Sequence, residues 1–288
     1  MSGRGRGSSR ARPNGKRCIP DVHVYRGVVV WSSGPPDAPL DVWFHPAFAD
    51  SCLSYRQAFE SQLSEHARIF VYDPPGHGAS PPRPKGLTIT EGAHLWCELI
   101  AHFSRSRDVV LVGHSMAGVI ASRTAARLQR LPVLVIGVEA NLTRADAYFT
   151  GLAAQFDEPA AFQASLRTKI LRMAQRDEVV HRFACSLELA DPMTLWRLGR
   201  SVFAQKDPGA AFRSLRCPKI HYWDAIGASQ DTRDYIARYG LPQRRLDRLG
   251  HWCMVNAPAA FYAAVLDDIR KVQLQHDRLK CAVRVPRT

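Results

Sequence analysis

The sequence predicts an α/β fold: a mostly parallel sheet covered on both faces by helices and interrupted once by a helical insertion. Three observations predict it. Apolar, strand-like runs alternate with helix-compatible stretches along most of the 288 residues, the rhythm of strands joined by crossover helices. That rhythm breaks after Glu139 and resumes at Lys219. Between them in weight stands a strand that runs straight into a helix through Gly113-His114-Ser115-Met116-Ala117-Gly118, a tight turn with a serine at its apex.

The elements follow in order. Residues 1–17 are rich in Gly, Ser and Arg and read as a disordered basic tail. Val22 to Trp31 alternates and then runs apolar, as a strand does. Ser33-Gly34-Pro35-Pro36-Asp37 is a turn cluster. Leu40 to Phe44 is the next strand, ending at His45-Pro46, and a helix is expected from about Ser54 to Glu65. Arg68 to Tyr72 is a strand closed by Asp73-Pro74-Pro75-Gly76-His77-Gly78-Ala79-Ser80. A helix from about Thr90 to Phe103 leads to the strand Asp108 to Val112, the serine turn and a helix from Val119 to Leu128. Val133 to Val138 is a further strand. Residues 141–215 carry little β pattern and much helical composition, and read as a helical cap. Lys219 to Trp223 restores the strand rhythm. A helix near Thr232 to Arg238, a short strand near Arg244 to Leu249 and a last helix from about Pro258 to Val272 follow. The expected organisation is a core of residues 18–140 and 216–272, a cap of 141–215, and a basic C-terminal tail of 273–288.

Composition bounds the class. Hydrophobic content of 46% and charged content of 23% are those of a globular chain long enough for a large core. No apolar stretch approaches the roughly 20 residues of a membrane span, and the basic N-terminus lacks the apolar segment of a secretory signal. Seven scattered cysteines without a C-x-x-C pair argue for reduced thiols in a cytoplasmic setting. The net charge of +13 sits in the tails. Residues 1–17 carry six basic and no acidic side chains and residues 270–288 six and one, which leaves 27 basic against 25 acidic between them. No nucleic-acid recognition motif accompanies that charge. The expected partner is a small-molecule substrate, with no specific nucleic acid and no membrane, for a monomer or homodimer.

The chemistry centres on Ser115. A strand–turn–helix join with small residues two before and two after a serine is the context of a nucleophile elbow: the turn exposes the hydroxyl and aims the next backbone N–H at the same point. Ala117 stands where a second glycine is usual, with Gly118 behind it. A serine hydroxyl needs an adjacent base. Among eleven histidines, His251 in Leu249-Gly250-His251-Trp252 best fits, on a turn between the last strand and the last helix. Its carboxylate partner is Glu139, directly after the strand that follows the elbow helix, or Asp224 or Asp231 after the later strand. The N–H groups of Met116 and Ala47 are the expected oxyanion donors, because Pro46 has none. Phe48, His114, Tyr148, Trp196, Trp223 and Trp252 are expected pocket residues, with Phe149, Phe156 and Phe203 as further cap aromatics. His77 near Asp73 lacks a third ligand, and neither a metal nor any other cofactor is expected.

Four sites in order, His45-Pro46-Ala47-Phe48, Asp73 to Ser80, the elbow and Gly250-His251-Trp252, resemble the α/β-hydrolase superfamily over roughly residues 20–272. The resemblance implies the α/β-hydrolase fold: an eight-stranded, mostly parallel sheet with a helical lid inserted after the sixth strand. Most members place the acid after the seventh strand. A minority, including haloalkane dehalogenases and zearalenone lactonases, place a glutamate after the sixth, as Glu139 would be. Dehalogenases use an aspartate nucleophile, so Ser115 is closer to the lactonase pattern. The function expected is a cofactor-independent serine hydrolase cleaving an ester or lactone of a fairly apolar or aromatic substrate through an acyl-enzyme. The same triad also serves C–C hydrolases, thioesterases and acyltransferases, and the scaffold can serve a ligand-binding receptor.

Overall fold

The computed structural model describes residues 19–283, with side chains through residue 278. The basic stretch 1–17 therefore lies outside the described residues, as does 284–288. Eight strands form one sheet in the order β1-β2-β4-β3-β5-β6-β7-β8. They are β1 (Asp21–Tyr25), β2 (Val28–Ser33), β3 (Leu40–His45), β4 (Arg68–Tyr72), β5 (Asp108–His114), β6 (Leu134–Val138), β7 (Lys219–Trp223) and β8 (Gln243–Arg245). From β3 to β8 every pairing is parallel. β1 and β2 are antiparallel to each other, and β2 to β4.

The single strand expected over Val22 to Trp31 is a hairpin. Arg26 and Gly27 both take positive φ, 50° and 78°, the conformation of a two-residue turn whose twist matches its flanking strands. Alternation on both sides of an Arg-Gly pair conceals that reversal. The centre of the sheet is apolar on both faces, as the buried runs of β3 and β6 show, which is what helices on both sides require.

The helices are α1 (Leu63–His66), α2 (Ile89–Phe103), α3 (Met116–Ala125), α4 (Pro159–Ala174), α5 (Glu178–Glu188), α6 (Pro192–Phe203), α7 (Ala210–Arg213), α8 (Gln230–Tyr239), α9 (Cys253–Asn256) and α10 (Pro258–Val283). Their ends have local causes. Thr88 and Glu91 close a capping box on α2. Asp177, Asp191 and Ser229 cap α5, α6 and α8 through their side chains, and α8 stops at Gly240 in the left-handed conformation.

Two helix expectations change. Ser54 to Glu65 is a 3-10 segment, Cys52–Glu60, followed by the single turn α1. Its serines turn their hydroxyls inward: Ser54 donates to Asp50, Ser61 to the Ala58 carbonyl and Ser64 to the Ser61 carbonyl, local bonds that compete with a regular α-helix. The last helix does not stop at Val272 but continues to Val283, so the stretch 273–283, read as tail, is helical.

Between β6 and β7 the chain holds only helices: a 3-10 turn at Thr150–Gln155 and then α4 to α7. Among the described residues no helix is long and apolar enough to cross a membrane. The sheet also fixes where a ligand can sit. β4 lies on one side of β3 and β5 on the other, so the loops leaving β3 and β5 diverge and open a crevice at the carboxyl ends of the strands.

Candidate active site

Ser115 stands between β5 and α3 with φ 55° and ψ −124°, a backbone conformation that costs a non-glycine residue on the order of 1–3 kcal/mol. The surroundings hold it there. Its N–H donates to the Val138 carbonyl at 2.8 Å, and its own carbonyl accepts from Gly118 N at 2.9 Å and Asn141 N at 3.3 Å. Small residues are required at two points. A Cβ on Gly113 would fall 2.4 Å from the Ala117 carbonyl oxygen, and one on Gly118 would fall 2.2 Å from the Ala140 Cβ. Ala117 is fully buried. The close approach in the second half of the elbow is thus made at Gly118, one residue later than the usual spacing.

Glu139 follows β6 with φ 45°. Its Oε2 lies 3.7 Å from His251 Nδ1, and its Oε1 accepts the Asp224 N–H. Its side chain is only 6% exposed. Asp224 spends its own carboxylate differently. Oδ1 accepts Ile226 N–H and Oδ2 accepts Gly250 N–H, each at 2.8 Å. Burial alone would raise its pKa, but the Ile226, Gly250 and Leu249 backbone groups outweigh that and hold it below the usual carboxylate value. Asp231 is exposed in the first turn of α8. Of the three carboxylates considered from sequence, Glu139 faces the His251 ring and Asp224 holds the turn that carries it.

His114 does not line the cavity. It is fully buried behind His251, and its Nε2 donates to the His251 carbonyl at 2.8 Å. Burial, with His251 nearby, drives its pKa well below the ordinary value, so it is a neutral support.

The loop after β3 brings Ala47 and Phe48 to the same crevice. Asp50 N–H bonds the Ala47 carbonyl at 3.2 Å, and the Asp73 carboxylate accepts both Cys52 N–H (2.7 Å) and Ala79 N–H (2.9 Å). The segment Asp73 to Ser80 therefore ties this loop down from β4. Met116 opens α3, whose first-turn N–H groups have no intrahelical acceptor.

A cavity of about 350 Å³ joins these parts. Ser115, Glu139 and His251 line it together with Ala47, Phe48, Tyr148 and Trp252. Two expected wall residues are elsewhere. Trp196 packs within the insertion, its Nε1 on the Phe156 carbonyl and Arg200 over its ring. Trp223 does not line this cavity; its Nε1 is bonded to Gln243 and Arg245 lies over its ring. In both cases a nearby partner for the indole N–H wins over the cavity. The aromatics between β6 and β7 divide the same way: Phe149 lines the cavity, while Phe156 and Phe203 pack against Phe162 and Gly151.

Several wall residues were not anticipated. Asn141 accepts the Ser115 hydroxyl at 3.5 Å. Met173 and Phe183 add apolar surface, and Asp146, His221, Ser229 and Thr232 add polar groups. The Thr143-x-x-Asp146 spacing is a local signal for one of them, since Asp146 Oδ2 accepts from Leu142 N, Thr143 N and Thr143 Oγ1. Nothing local marks His221, an isolated histidine in an ordinary strand. Among the described residues, no three His, Cys, Asp or Glu side chains are grouped to share a metal ion.

A serine on a strained strand–turn–helix apex, at the carboxyl edge of an eight-stranded and mostly parallel sheet, defines a hydrolase of the α/β class. The chain belongs to the alpha/beta hydrolase family, whose model matches residues 30–265. Solved structures with this fold include a thermophilic esterase from Thermogutta terrifontis, 18% identical, with 85% of this chain and 93% of that chain covered and a TM-score of 0.68. A hydrolase from Pseudomonas aeruginosa is 18% identical, with 86% and 97% covered and a TM-score of 0.66. The N-acyl homoserine lactonase AidH, in complex with N-butanoyl homoserine, is 15% identical, with 88% and 97% covered and a TM-score of 0.67. No curated protein sequence matches the chain.

Proposed function

We propose that this enzyme is a cofactor-independent serine hydrolase that cleaves an ester or lactone through an acyl-enzyme. One observation carries the reading: Ser115, Glu139 and His251 line a single cavity, with Glu139 Oε2 3.7 Å from His251 Nδ1. The esterases and the lactonase that share the fold agree with it.

In the resting arrangement the Ser115 hydroxyl donates to Asn141. In the reaction that hydrogen bond passes to His251 Nε2, which takes the proton as Ser115 Oγ attacks the carbonyl carbon. The backbone N–H groups of Met116 and Ala47 stabilise the tetrahedral oxyanion. Glu139 orients His251 through Nδ1 and stabilises its charged form. Collapse expels the alkoxide, which takes the proton from His251. Water, deprotonated by His251, then attacks the acyl-enzyme, and the acid and free Ser115 are released. Phe48, Tyr148, Phe149, Met173, Phe183 and Trp252 line the cavity, so an apolar or aromatic acyl or alkyl group is the natural occupant.

The test is covalent labelling. Wild type and Ser115→Ala are incubated with a fluorophosphonate, and intact masses are read. A mass shift in wild type alone supports the reading; labelling or ester turnover retained by Ser115→Ala overturns it.

A further inference from the structure

We propose that His221 forms a polar subsite in the wall of the cavity, and that it takes a hydroxyl group carried by an otherwise apolar ester or lactone. This rests on the hydrolase reading above and narrows its substrate class.

The cavity's lining is chemically mixed. Aromatic and thioether side chains supply its apolar surface, and Asp146, His221, Ser229 and Thr232 supply polar groups. His221 is 1% exposed, and both of its ring nitrogens lack a protein partner. A buried polar group left so is rare unless a ligand or water completes it. His221 pairs in register with Gly137, so the neighbouring strand sets no side chain of its own against the imidazole. A Cβ on Gly137 would fall 3.0 Å from the Ala140 Cβ, 3.4 Å from His221 Nδ1 and 3.6 Å from the Phe212 ring. Two strand spacings of ~4.8 Å separate His221 from Gly113, two residues before Ser115. One cavity is lined by both Ser115 and His221.

The chemistry selects the group. Asp146 stands near the imidazole, but its carboxylate is occupied: Oδ1 accepts from Ser229 Oγ (3.1 Å) and Thr232 Oγ1, and Oδ2 from Leu142 N, Thr143 N and Thr143 Oγ1. Burial lowers the His221 pKa to about 4, and the Asp146 charge only partly opposes that. The imidazole is neutral at pH 7, with one nitrogen donating and the other accepting. A hydroxyl, which both donates and accepts, complements it. A carboxylate or phosphate would meet the fixed Asp146 charge with no cation to balance it.

The test compares 4-nitrophenyl alkanoates with their ω-hydroxy counterparts across a range of matched chain lengths. In parallel, calorimetry measures binding of the corresponding N-phenyl amides, which need no turnover. At one chain length wild type is expected to favour the hydroxylated member by about five- to tenfold in kcat/KM and in Kd, the worth of one hydrogen bond. In His221→Phe the ratio falls to near one, and in His221→Gln, which keeps a donor and an acceptor, part of it survives. Near-UV circular dichroism and melting check that both variants fold, and wild type and His221→Gln suffice if His221→Phe does not. A ratio near one at every chain length in wild type, or an undiminished ratio in His221→Phe, overturns the subsite. Esters hydrolysed without preference sink the subsite and leave the hydrolase reading standing. A binding preference without ester hydrolysis does the reverse, and absence of both sinks both.

Discussion

The Asp224 carboxylate accepts the Gly250 N–H at 2.8 Å, one residue before His251. An acid at the end of β7 thus fixes the turn, while the carboxylate that faces the ring is Glu139, 3.7 Å from Nδ1. The two acids should fail differently. Glu139→Gln keeps the fold and lowers kcat on an activated ester by ~100-fold or more, read by steady-state kinetics. Asp224→Asn lowers the melting temperature first and kcat less. The reverse ranking of kcat would make Asp224 the triad acid.

Asp224 also carries a pH signature. Its pKa in the fold is below the ordinary carboxylate value. The stability it contributes is complete above the unfolded pKa and is lost as pH falls through the folded one. Between pH 7 and the acid range, wild type should therefore lose more melting temperature than Asp224→Asn does.

Asp50 has the opposite sign. Burial pushes its pKa up to about 6, against hydrogen bonds from Ser54 and Ser51. The folded protein then holds a proton that the unfolded chain has released, so stability falls as pH rises from about 4 to about 6. Asp50→Asn removes that slope, and thermal melts of both proteins across this window show it. Asp50 N–H bonds the Ala47 carbonyl, so the loop concerned is the one that carries the proposed oxyanion donor.

Gly118 presses on Ala140, where a Cβ would stand 2.2 Å from the neighbouring Cβ. Gly118→Ala should cost about 1–3 kcal/mol in urea denaturation, the usual penalty of overpacking. Ala117→Gly should cost about 1 kcal/mol or less, as a change of helix propensity alone. Equal costs at the two positions would contradict the shifted spacing of the elbow.

His114 holds the His251 carbonyl from behind at 2.8 Å. His114→Phe keeps a ring there and removes the bond, so His251 is less firmly placed. We expect a five- to tenfold fall in kcat, about 1 kcal/mol, with KM little changed and Ser115 labelling slowed but present.

The parts of this molecule written in local pattern were legible in sequence. The buried strands β3 to β7, the elbow and the turn at His251 each combine an apolar run with a glycine or a break. Glu139 could be placed at a strand end because its strand was clear; whether it or Asp224 met His251 depended on backbone hydrogen bonds across some hundred residues. The hairpin at Arg26-Gly27 was hidden because alternation continues through it. Trp196 and Trp223 were misassigned for a general reason: an aromatic residue on an insertion or a strand end faces whichever partner satisfies its indole N–H, and sequence does not name that partner. His221 carries no local signal in sequence, because its neighbours in space, Gly137 and Asp146, come from other elements.

Four consecutive residues, Val138 to Asn141, receive the Ser115 N–H, supply Glu139, wedge Ala140 under Gly118 and return an N–H to the Ser115 carbonyl. The chain departs into the insertion only after them. The proposed nucleophile, its acid and both oxyanion donors thus precede the point where the helical block is spliced in, while the base, His251, and the residues that shape much of the cavity lie downstream of it. Such a layout separates grammar from vocabulary: the stretch from Leu142 to Arg216 can be rewritten for a different guest, while a single-residue deletion between Val138 and Asn141 would unseat nucleophile and acid together.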